Sequence, residues 1–304
     1  MHGPGGRRAS DDGSRDVLVG IGYMFLAGIA SSLMHIGVRT VSPHLPTAQI
    51  TFLRAFFSLV FMLPFILAQG RIGWRSKRPG LHLARGLVSV VSIMAWYYAL
   101  SVIPLADAAA LSFTTAIFVT MGAALIFGER VGIRRWSAVA IGLVGTIVIL
   151  RPGAGLISWG AMAALFGNVL WAASLLMVKE LAKHDPPITI SFLQPMLVAP
   201  LAGIAAAPVW VWPETATWLI LVAMGFFGAI ANFSYVNAMR KADASITMPV
   251  DFIRLVWMAG WGYVFFNEVP VSATWAGAAL IIGSALYITW RESQLARTRR
   301  AGPT

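Results

Sequence analysis

The sequence of 304 residues contains no cysteine, and this absence excludes several kinds of chemistry. Without a thiol there is no disulfide framework, no thiolate metal site and no nucleophilic cysteine. Charged residues are also scarce, at 12% of the chain, against about 25% in ordinary soluble domains. The motifs G-x-x-x-x-G-K-[ST] and H-E-x-x-H, typical of nucleotide binding and zinc hydrolysis, are missing. We therefore expect no metal site, no cofactor and no direct use of ATP.

Apolar residues make up 58% of the chain and gather in long stretches. Each stretch is near the ~20 residues that a helix needs to cross a bilayer. They are rich in Leu, Ala and Gly and do not alternate, which favours membrane helices over barrel strands. The ten stretches are 17–38, 47–68, 80–102, 105–127, 134–150, 157–178, 188–209, 215–238, 244–266 and 272–290. The sequence therefore predicts an all-α polytopic membrane protein with ten transmembrane helices.

Basic residues outnumber acidic ones and give the chain a net charge of +11. A basic chain can bind nucleic acid, but the placement of the charges indicates another cause. With a cytoplasmic N-terminus, all but four of the 23 Lys and Arg residues fall in segments on the inner side. Such asymmetry is typical of membrane topology. We therefore expect an integral protein of the bacterial cytoplasmic (inner) membrane, with both termini in the cytoplasm and no nucleic-acid partner.

The chain repeats itself after 139 or 140 residues. A shift of 139 places Phe113 on Phe252 and Trp136 on Trp275. Each copy holds five spans, so the second copy enters the bilayer inverted relative to the first. Inverted repeats are typical of secondary transporters, whose binding site lies between the halves. The expected segments are a disordered cytoplasmic tail (1–15), a first repeat (16–153), a second repeat (154–292) and a basic cytoplasmic tail (293–304).

Two runs of sequence carry a similarity to a known family. They are YYALSVIPLADAAALSFTTAIFVTMGAALIFGERVGIRRW in the first repeat and the shorter equivalent segment SYVNAMRKADASITMPVDFIRLVWMAGWGYVFFNE in the second. An aliphatic run closing on Gly128-Glu129, Asn267-Glu268 at the equivalent place, and Arg54 in FLRAFF belong to the same pattern. Over nearly its whole length the chain resembles the drug/metabolite transporter superfamily, in particular its EamA-type members with ten spans and two repeats. The resemblance implies transport of a small metabolite such as an amino acid, a vitamin, a nucleotide-like compound or a metallophore.

Arg254 is the strongest single candidate for a binding residue. It lies about ten residues into the ninth span, which at ~1.5 Å per residue is near the midplane. Inserting an arginine there costs about 2.5–3.5 kcal/mol. Asp251 precedes it by one helical turn and therefore shares its face. We predict a cationic site for a carboxylate, a phosphate or an electron-rich ring, with an internal ion pair that only fixes helix packing as the alternative.

The repeat places Asp251 and Arg254 on Ser112 and Thr115 of the fourth span. Charges facing hydroxyls would suit a polar ligand with one anionic end. The alternative for the hydroxyls is helix–helix hydrogen bonding, worth about 0.6 kcal/mol in membranes.

Arg54 lies about seven residues inside the second span, ~10 Å from its edge. Its side chain either faces the pore or snorkels to the membrane surface.

Aromatic and amide side chains complete the predicted site. Trp96 of the third span overlays Tyr235 of the eighth, and Asn232 shares a helical face with Tyr235. Facing inward, they would stack on a planar substrate or hydrogen-bond to it. An interfacial aromatic belt is the alternative, and we assign Tyr97 and Tyr98 to that belt. The predicted substrate-binding residues are Arg54, Trp96, Ser112, Thr115, Asn232, Tyr235, Asp251 and Arg254.

These features together predict a secondary carrier that is not an enzyme. It would move an anionic, zwitterionic or aromatic small metabolite across the cytoplasmic membrane by alternating access. An intramembrane enzyme and a non-transporting scaffold are the alternatives, and the missing catalytic motifs argue against the enzyme. Proton coupling and substrate exchange are both open as energy sources. Small residues at four-residue spacing, such as Ala279 and Gly283, would serve an internal contact or a homodimer equally.

Overall fold

The computed structural model describes residues 5–67, 76–127, 133–151, 158–241 and 250–300. Every regular element in these ranges is helical. The longer helices are α1 (Gly5–Val41), α2 (Thr47–Leu67), α3 (Pro79–Val102), α4 (Leu105–Ser112), α5 (Thr114–Phe127), α6 (Ile133–Leu150), α7 (Trp159–Leu181), α8 (Pro187–Ala206), α9 (Thr215–Lys241), α10 (Ile253–Phe266) and α11 (Ser272–Arg300).

The helices account for all ten predicted spans. Seven helical segments of the described chain are long and apolar enough to cross a membrane, and α4 and α5 together form one of them. Shorter apolar helices at 136–150, 253–266 and 272–288 occupy the fifth, ninth and tenth predicted spans. The predicted all-α polytopic fold is therefore confirmed.

Two helices extend beyond the predicted spans. Helix α1 begins at Gly5, so residues 5–15 are helical in the structure where the composition predicts a disordered tail. Helix α11 continues to Arg300, past the predicted end of the second repeat. A helix that emerges from the bilayer continues its own backbone hydrogen bonds, which explains how both spans reach into the tails. Disorder of the first residues in solution stays a prediction.

Contacts between the helices follow the two-fold pattern of the repeat. Helix α1 packs against α9, and its counterpart α7 packs against α3. Helices α2 and α8, which are equivalent to each other, also pack together, as do α6 and α11. Each half of the molecule is therefore completed by the other half, and the space between them is shared.

The pair α6 and α11 crosses at very short range. A Cβ atom added to Gly145 would lie 2.8 Å from the carbonyl oxygen of Gly277, and one added to Gly277 would lie 2.6 Å from that of Gly145. Only glycine fits at both positions, because a side chain would overlap the facing backbone. This contact holds one helix of each repeat together at the edge of the bundle.

The fourth and ninth spans are interrupted helices. Phe113 separates α4 from α5, and Phe252 separates α10 from the helical residues 250–251. At each break the phenylalanine carbonyl accepts a short-range hydrogen bond, from Ala116 N–H in one span and from Leu255 N–H in the other. The two breaks lie at equivalent positions of the repeat, and the two phenylalanine rings touch, with centroids 4.7 Å apart.

Candidate functional site

A cavity of about 830 Å³ lies between the two repeats. Its size falls within the ~300–1,000 Å³ typical of small-molecule sites. All eight predicted binding residues line it: Arg54, Trp96, Ser112, Thr115, Asn232, Tyr235, Asp251 and Arg254. The structure therefore gathers into one cavity residues that come from five spans. Their role in binding a substrate stays a prediction.

Arg254 lies at the interruption of the ninth span and makes contacts in both repeats. Its Nη2 lies 3.4 Å from Asp251 Oδ2 and donates a hydrogen bond of 3.1 Å to Ser112 Oγ. Its guanidinium carbon lies 5.3 Å from the centroid of the Phe113 ring, within range of a cation–π interaction. The predicted ion pair with Asp251 is present. Of the two hydroxyls predicted to face these charges, that of Ser112 contacts Arg254.

An asparagine that sequence reasoning missed supports the break in the fourth span. Asn168 of α7 is 5% exposed. Its Nδ2 donates to the Leu111 carbonyl oxygen at 2.7 Å and to Thr114 Oγ1 at 3.2 Å. These bonds satisfy backbone and hydroxyl groups on both sides of Phe113. A lone Asn within an apolar helix, where an unpaired amide is costly, is the sequence signal that could have found it.

Arg54 faces the cavity and does not snorkel to the surface. Its guanidinium carbon lies 6.0 Å from the Tyr97 ring centroid. Its Nε is buried without a hydrogen-bond partner, and the described residues offer the guanidinium neither an acceptor nor a carboxylate. Tyr97 is 3% exposed, so its assignment to an interfacial belt was wrong. The tyrosine turns inward because the bundle, and not the lipid, surrounds this face of α3.

Trp96 is held by a histidine on the first span. Its Nε1–H donates to His35 Nε2 at 3.3 Å, and the two rings meet edge to face with centroids 5.8 Å apart. His35 is 6% exposed and also lines the cavity. Because Nε2 accepts this bond, the neutral imidazole carries its hydrogen on Nδ1. The pair fixes the orientation of the Trp96 indole plane toward the cavity.

Asn232 and Tyr235 bring two polar groups from α9 into the cavity, as their three-residue spacing predicts. Neither side chain has a hydrogen-bond partner among the residues that the structure describes. Thr115 of α5 adds a hydroxyl to the lining. These groups are available to a ligand, whereas the amide of Asn168 is already committed to the protein.

Arg85 is a buried charge near the start of α3. It is 6% exposed. Its Nη1 donates to the Ile190 carbonyl oxygen at 2.8 Å and its Nη2 to Gln194 Oε1 at 3.0 Å. These bonds explain how a charge is tolerated there. A shift of 140 residues places Gln194 on Arg54, and the bond from Arg85 gives this polar side chain a partner. Gln194 also reaches the cavity.

One end of the bundle is closed by an ionic cluster. Arg39, near the end of α1, bonds to Glu268 Oε1 at 2.8 Å and to the carbonyl oxygens of Leu100 and Ile103 at 2.8 and 3.0 Å. Glu268 Oε2 in turn accepts the Leu105 N–H that begins α4, at 2.7 Å. No lining residue of the cavity comes from this described cluster. At the other end the lining reaches Lys179 in the last turn of α7.

The described residues contain no group of three His, Asp or Glu side chains that could hold a metal ion. The Gly128-Glu129 pair of the sequence pattern lies outside the described residues. Its counterpart Asn267-Glu268 ends α10, with Asn267 in the left-handed conformation at φ 54°. Asparagine tolerates this conformation, which lets the chain turn sharply and bring Glu268 back over the helix end. The departure from glycine is therefore accommodated.

Known proteins share this architecture. A crystal structure with TM-score 0.62 and 21% identity covers 91% of this chain and 98% of its own. A riboflavin transporter of Rhizobium johnstonii is 34% identical, over 92% of this chain and 94% of its own length. An S-adenosylmethionine uptake transporter of Rickettsia bellii is 27% identical, over 93% and 98%.

The pattern of the EamA-like transporter family matches residues 18–151 and 158–290, which are the two repeats. The match covers most of the chain, and it agrees with the interhelical contacts and with the cavity between the halves. The chain belongs to the EamA-like transporter family, and it is an integral membrane transporter of a small metabolite and not an enzyme.

Proposed function

We propose that this protein is a secondary carrier of a planar aromatic metabolite, with riboflavin as the first candidate, and that the cavity is its binding site. The observation that carries the proposal is the composition of the cavity wall. It combines aromatic rings, among them Trp96, Phe113 and Trp171, with polar side chains that have no hydrogen-bond partner among the described residues, among them Asn232 and Tyr235. Rings stack on a flat substrate, and amides and hydroxyls bond to its edges.

The charge of the cavity favours riboflavin over S-adenosylmethionine. Among the described lining residues, three side chains are cationic (Arg54, Lys179 and Arg254), and only Asp251 is anionic. A sulfonium cation would be repelled by this excess, whereas a neutral flavin with several carbonyl acceptors would not. The riboflavin transporter named above is also the more similar of the two relatives.

Transport would proceed by alternating access. The Arg39–Glu268 cluster closes one end, and the cavity extends toward Lys179 at the other. An inverted repeat can exchange these two conditions by rocking one half against the other. The distribution of Lys and Arg supports an orientation in the cytoplasmic membrane with both termini inside. In that orientation the cavity of this state faces the cytoplasm.

Energy would come from a proton gradient or from exchange of one substrate for another, because the sequence contains no nucleotide-binding loop.

For a homodimer, the pair Ala279 and Gly283 is one available contact. Both residues are exposed on α11, and a Cβ at Gly283 would meet no atom within 4 Å. A single Gly283→Cys substitution in this cysteine-free chain tests the contact, since a disulfide-linked dimer would form only if two copies meet there.

Counterflow in proteoliposomes tests the carrier proposal. Vesicles loaded with unlabelled riboflavin should accumulate labelled riboflavin transiently, and protein-free vesicles should not. S-adenosylmethionine in excess should not compete. Accumulation of labelled S-adenosylmethionine without accumulation of riboflavin would contradict the assignment of substrate. Absence of counterflow with every flavin tested would contradict the proposal that the substrate is a planar aromatic metabolite.

A further inference from the structure

The arginines in and beside the spans differ in what satisfies them. Arg39 is bonded to Glu268 and two carbonyl oxygens, and Arg85 is bonded to a carbonyl oxygen and Gln194. Arg254 pairs with Asp251 and Ser112. Arg54 alone of these four has no hydrogen bond and no ion pair with any described residue. Its cation–π contact with Tyr97, at 6.0 Å, is the contact that remains.

A cation–π contact does not replace the missing acceptors. It is weaker than the charge-assisted hydrogen bonds that a guanidinium makes with an anion. A guanidinium carries five N–H donors in a planar fork that fits a carboxylate or a phosphate bidentately. Placing this fork in a span is costly unless it faces a cavity or an anion. The tyrosine ring orients the guanidinium of Arg54 and leaves its donors unused.

The space beside Arg54 is kept open by a glycine. A Cβ added to Gly228 of α9 would lie 3.6 Å from Arg54 Nη1 and 3.0 Å from Ser58 Oγ. Any larger residue would extend from that point over the guanidinium. The hydroxyl of Ser58 donates to the Gly225 carbonyl oxygen at 3.0 Å, and its oxygen makes no hydrogen bond with Arg54. The arginine therefore lies beside the free volume of the cavity, with no hydrogen bond to a described residue.

We propose that Arg54 is an oxyanion subsite of the cavity, and that the carrier accepts planar aromatic substrates bearing a phosphate monoester or a carboxylate. This inference rests on the cavity being the transport site. Arg254 is paired with Asp251, and Lys179 lies at the far end of the lining, so Arg54 is the cation that attracts a substrate anion beside the Tyr97 ring. A flavin would pack its rings between the aromatic side chains and place its anionic group on Arg54.

Riboflavin 5′-phosphate is the probe, because it differs from riboflavin only by the phosphate. Binding of both flavins to the purified protein is measured by quenching of flavin fluorescence. In the wild type the phosphate ester should bind at least as tightly as riboflavin. We call the affinity for the phosphate ester divided by the affinity for riboflavin the affinity ratio. Arg54→Gln should lower this ratio by about tenfold or more, because the hydrogen bonds between the guanidinium and the phosphate are lost. Arg54→Lys, which keeps the charge and loses the bidentate fork, should give a ratio between those of wild type and Arg54→Gln.

Arg85→Gln is the matched control. It also removes an arginine from a span, but one whose donors are bonded within the protein, so the ratio should not change. A phosphate ester that fails to bind the wild type overturns the inference, and riboflavin binding in the same experiment leaves the proposed function intact. An unchanged ratio in Arg54→Gln also overturns it. Binding of the phosphate ester but not of riboflavin supports the subsite and contradicts riboflavin as the substrate.

A carboxylate probe distinguishes the two oxyanions. A flavin analogue ending in a carboxymethyl group replaces the phosphate ester in the same measurement. If both anions show the Arg54-dependent gain, the subsite recognises oxyanions generally. If neither shows it, the inference is contradicted by two independent ligands.

Discussion

Arg254 combines three contacts that a single substitution removes together. It balances Asp251, bonds to Ser112 of the other repeat and lies against the Phe113 ring. The two interrupted spans are therefore connected through one guanidinium. A charge that is balanced inside the protein can still contact a ligand, because Arg254 also lines the cavity.

We expect Arg254→Ala to reduce transport by about tenfold or more while the protein still inserts and folds. The substitution leaves Asp251 unpaired, which disfavours an anionic or carbonyl-rich substrate. Proteoliposome uptake and size-exclusion elution measure the two effects. The double variant Asp251→Ala/Arg254→Ala restores charge balance, so recovery of full transport in it would contradict a direct role for Arg254.

Asp185, in the loop between α7 and α8, provides a pH-dependent contribution to stability. Burial alone would raise the pKa of its carboxyl, but hydrogen bonds from Ser76 Oγ, the Lys77 N–H and His82 hold that pKa below its ordinary value. A lowered pKa in the folded state stabilises the protein above the unfolded pKa, and the contribution is lost as the pH falls through the folded pKa.

We therefore expect Asp185→Asn to lower the melting temperature at pH 7, and the difference from wild type to shrink as the pH falls below about 4. Differential scanning fluorimetry across this range measures it. His82 is the titratable side chain that contacts the carboxyl, at 3.0 Å. To remove the titration of His82 from the comparison, the series is repeated with His82→Gln introduced into the wild type and into Asp185→Asn. A difference that stays constant with pH would contradict the assignment to Asp185.

At the scale of elements, the interrupted spans give the cavity its polar wall. Breaking α4 from α5 at Phe113 exposes the Leu111 carbonyl to Asn168 and positions Ser112 for Arg254. Broken helices of this kind occur in transporters at binding sites, where freed backbone groups meet polar partners. The hydrogen bonds from Asn168 thus stabilise an irregularity that the site uses.

We expect Asn168→Leu to destabilise the protein by about 1 kcal/mol, the net contribution of a typical hydrogen bond, and to reduce transport. Thermal unfolding in detergent and vesicle uptake measure the two effects. Asn237→Leu is the matched control, because the amide of Asn237 donates to Phe233 within its own helix and lies outside the cavity. Equal loss of stability in both variants would contradict the special role of Asn168.

The sequence predicted the elements well and their interruptions poorly. Long apolar runs without polar alternation can only be membrane helices, so the ten spans followed from composition. Phe113 carries no such signal, because no Gly or Pro adjoins it and its dihedral angles are helical. In the ninth span Pro249, three residues before Phe252, predicts an interruption. The direction of Arg54 stayed open and Tyr97 was assigned to the wrong environment for a different reason. Burial depth along a helix can be counted, but the face of a helix that meets a cavity depends on its neighbours.

On the scale of the whole molecule, the two ends of the bundle are held differently. The Arg39–Glu268 cluster joins α1, the end of α3 and the start of α4 to the end of α10. Both partners are largely buried, with side-chain exposures of 21% and 15%. Such a cluster stabilises the state that is closed at this end, and its contribution is absent when the end opens.

We expect Glu268→Gln to shift the protein toward the state that is open at this end. The amide still accepts the Leu105 N–H but no longer pairs with Arg39. A single cysteine at Ala108, fully buried on α4, reports the change by reaction with a water-soluble maleimide. It should react slowly in the cysteine-free background and faster with Glu268→Gln. Thr115→Cys, which lines the cavity, should react in both, and unchanged reactivity at Ala108→Cys would contradict the shift.

Phe113 and Phe252 are equivalent residues that touch each other, so their contact lies astride the pseudo-two-fold axis. Exchanging the conformations of the two repeats exchanges the two rings and leaves the contact as it was. The double substitution Phe113→Leu/Phe252→Leu therefore acts on both ends of the bundle alike, apart from the contact of Phe113 with Arg254, which it also removes. It acts on the barrier between the two states, and should change the rate of exchange while the populations of the states stay as they are.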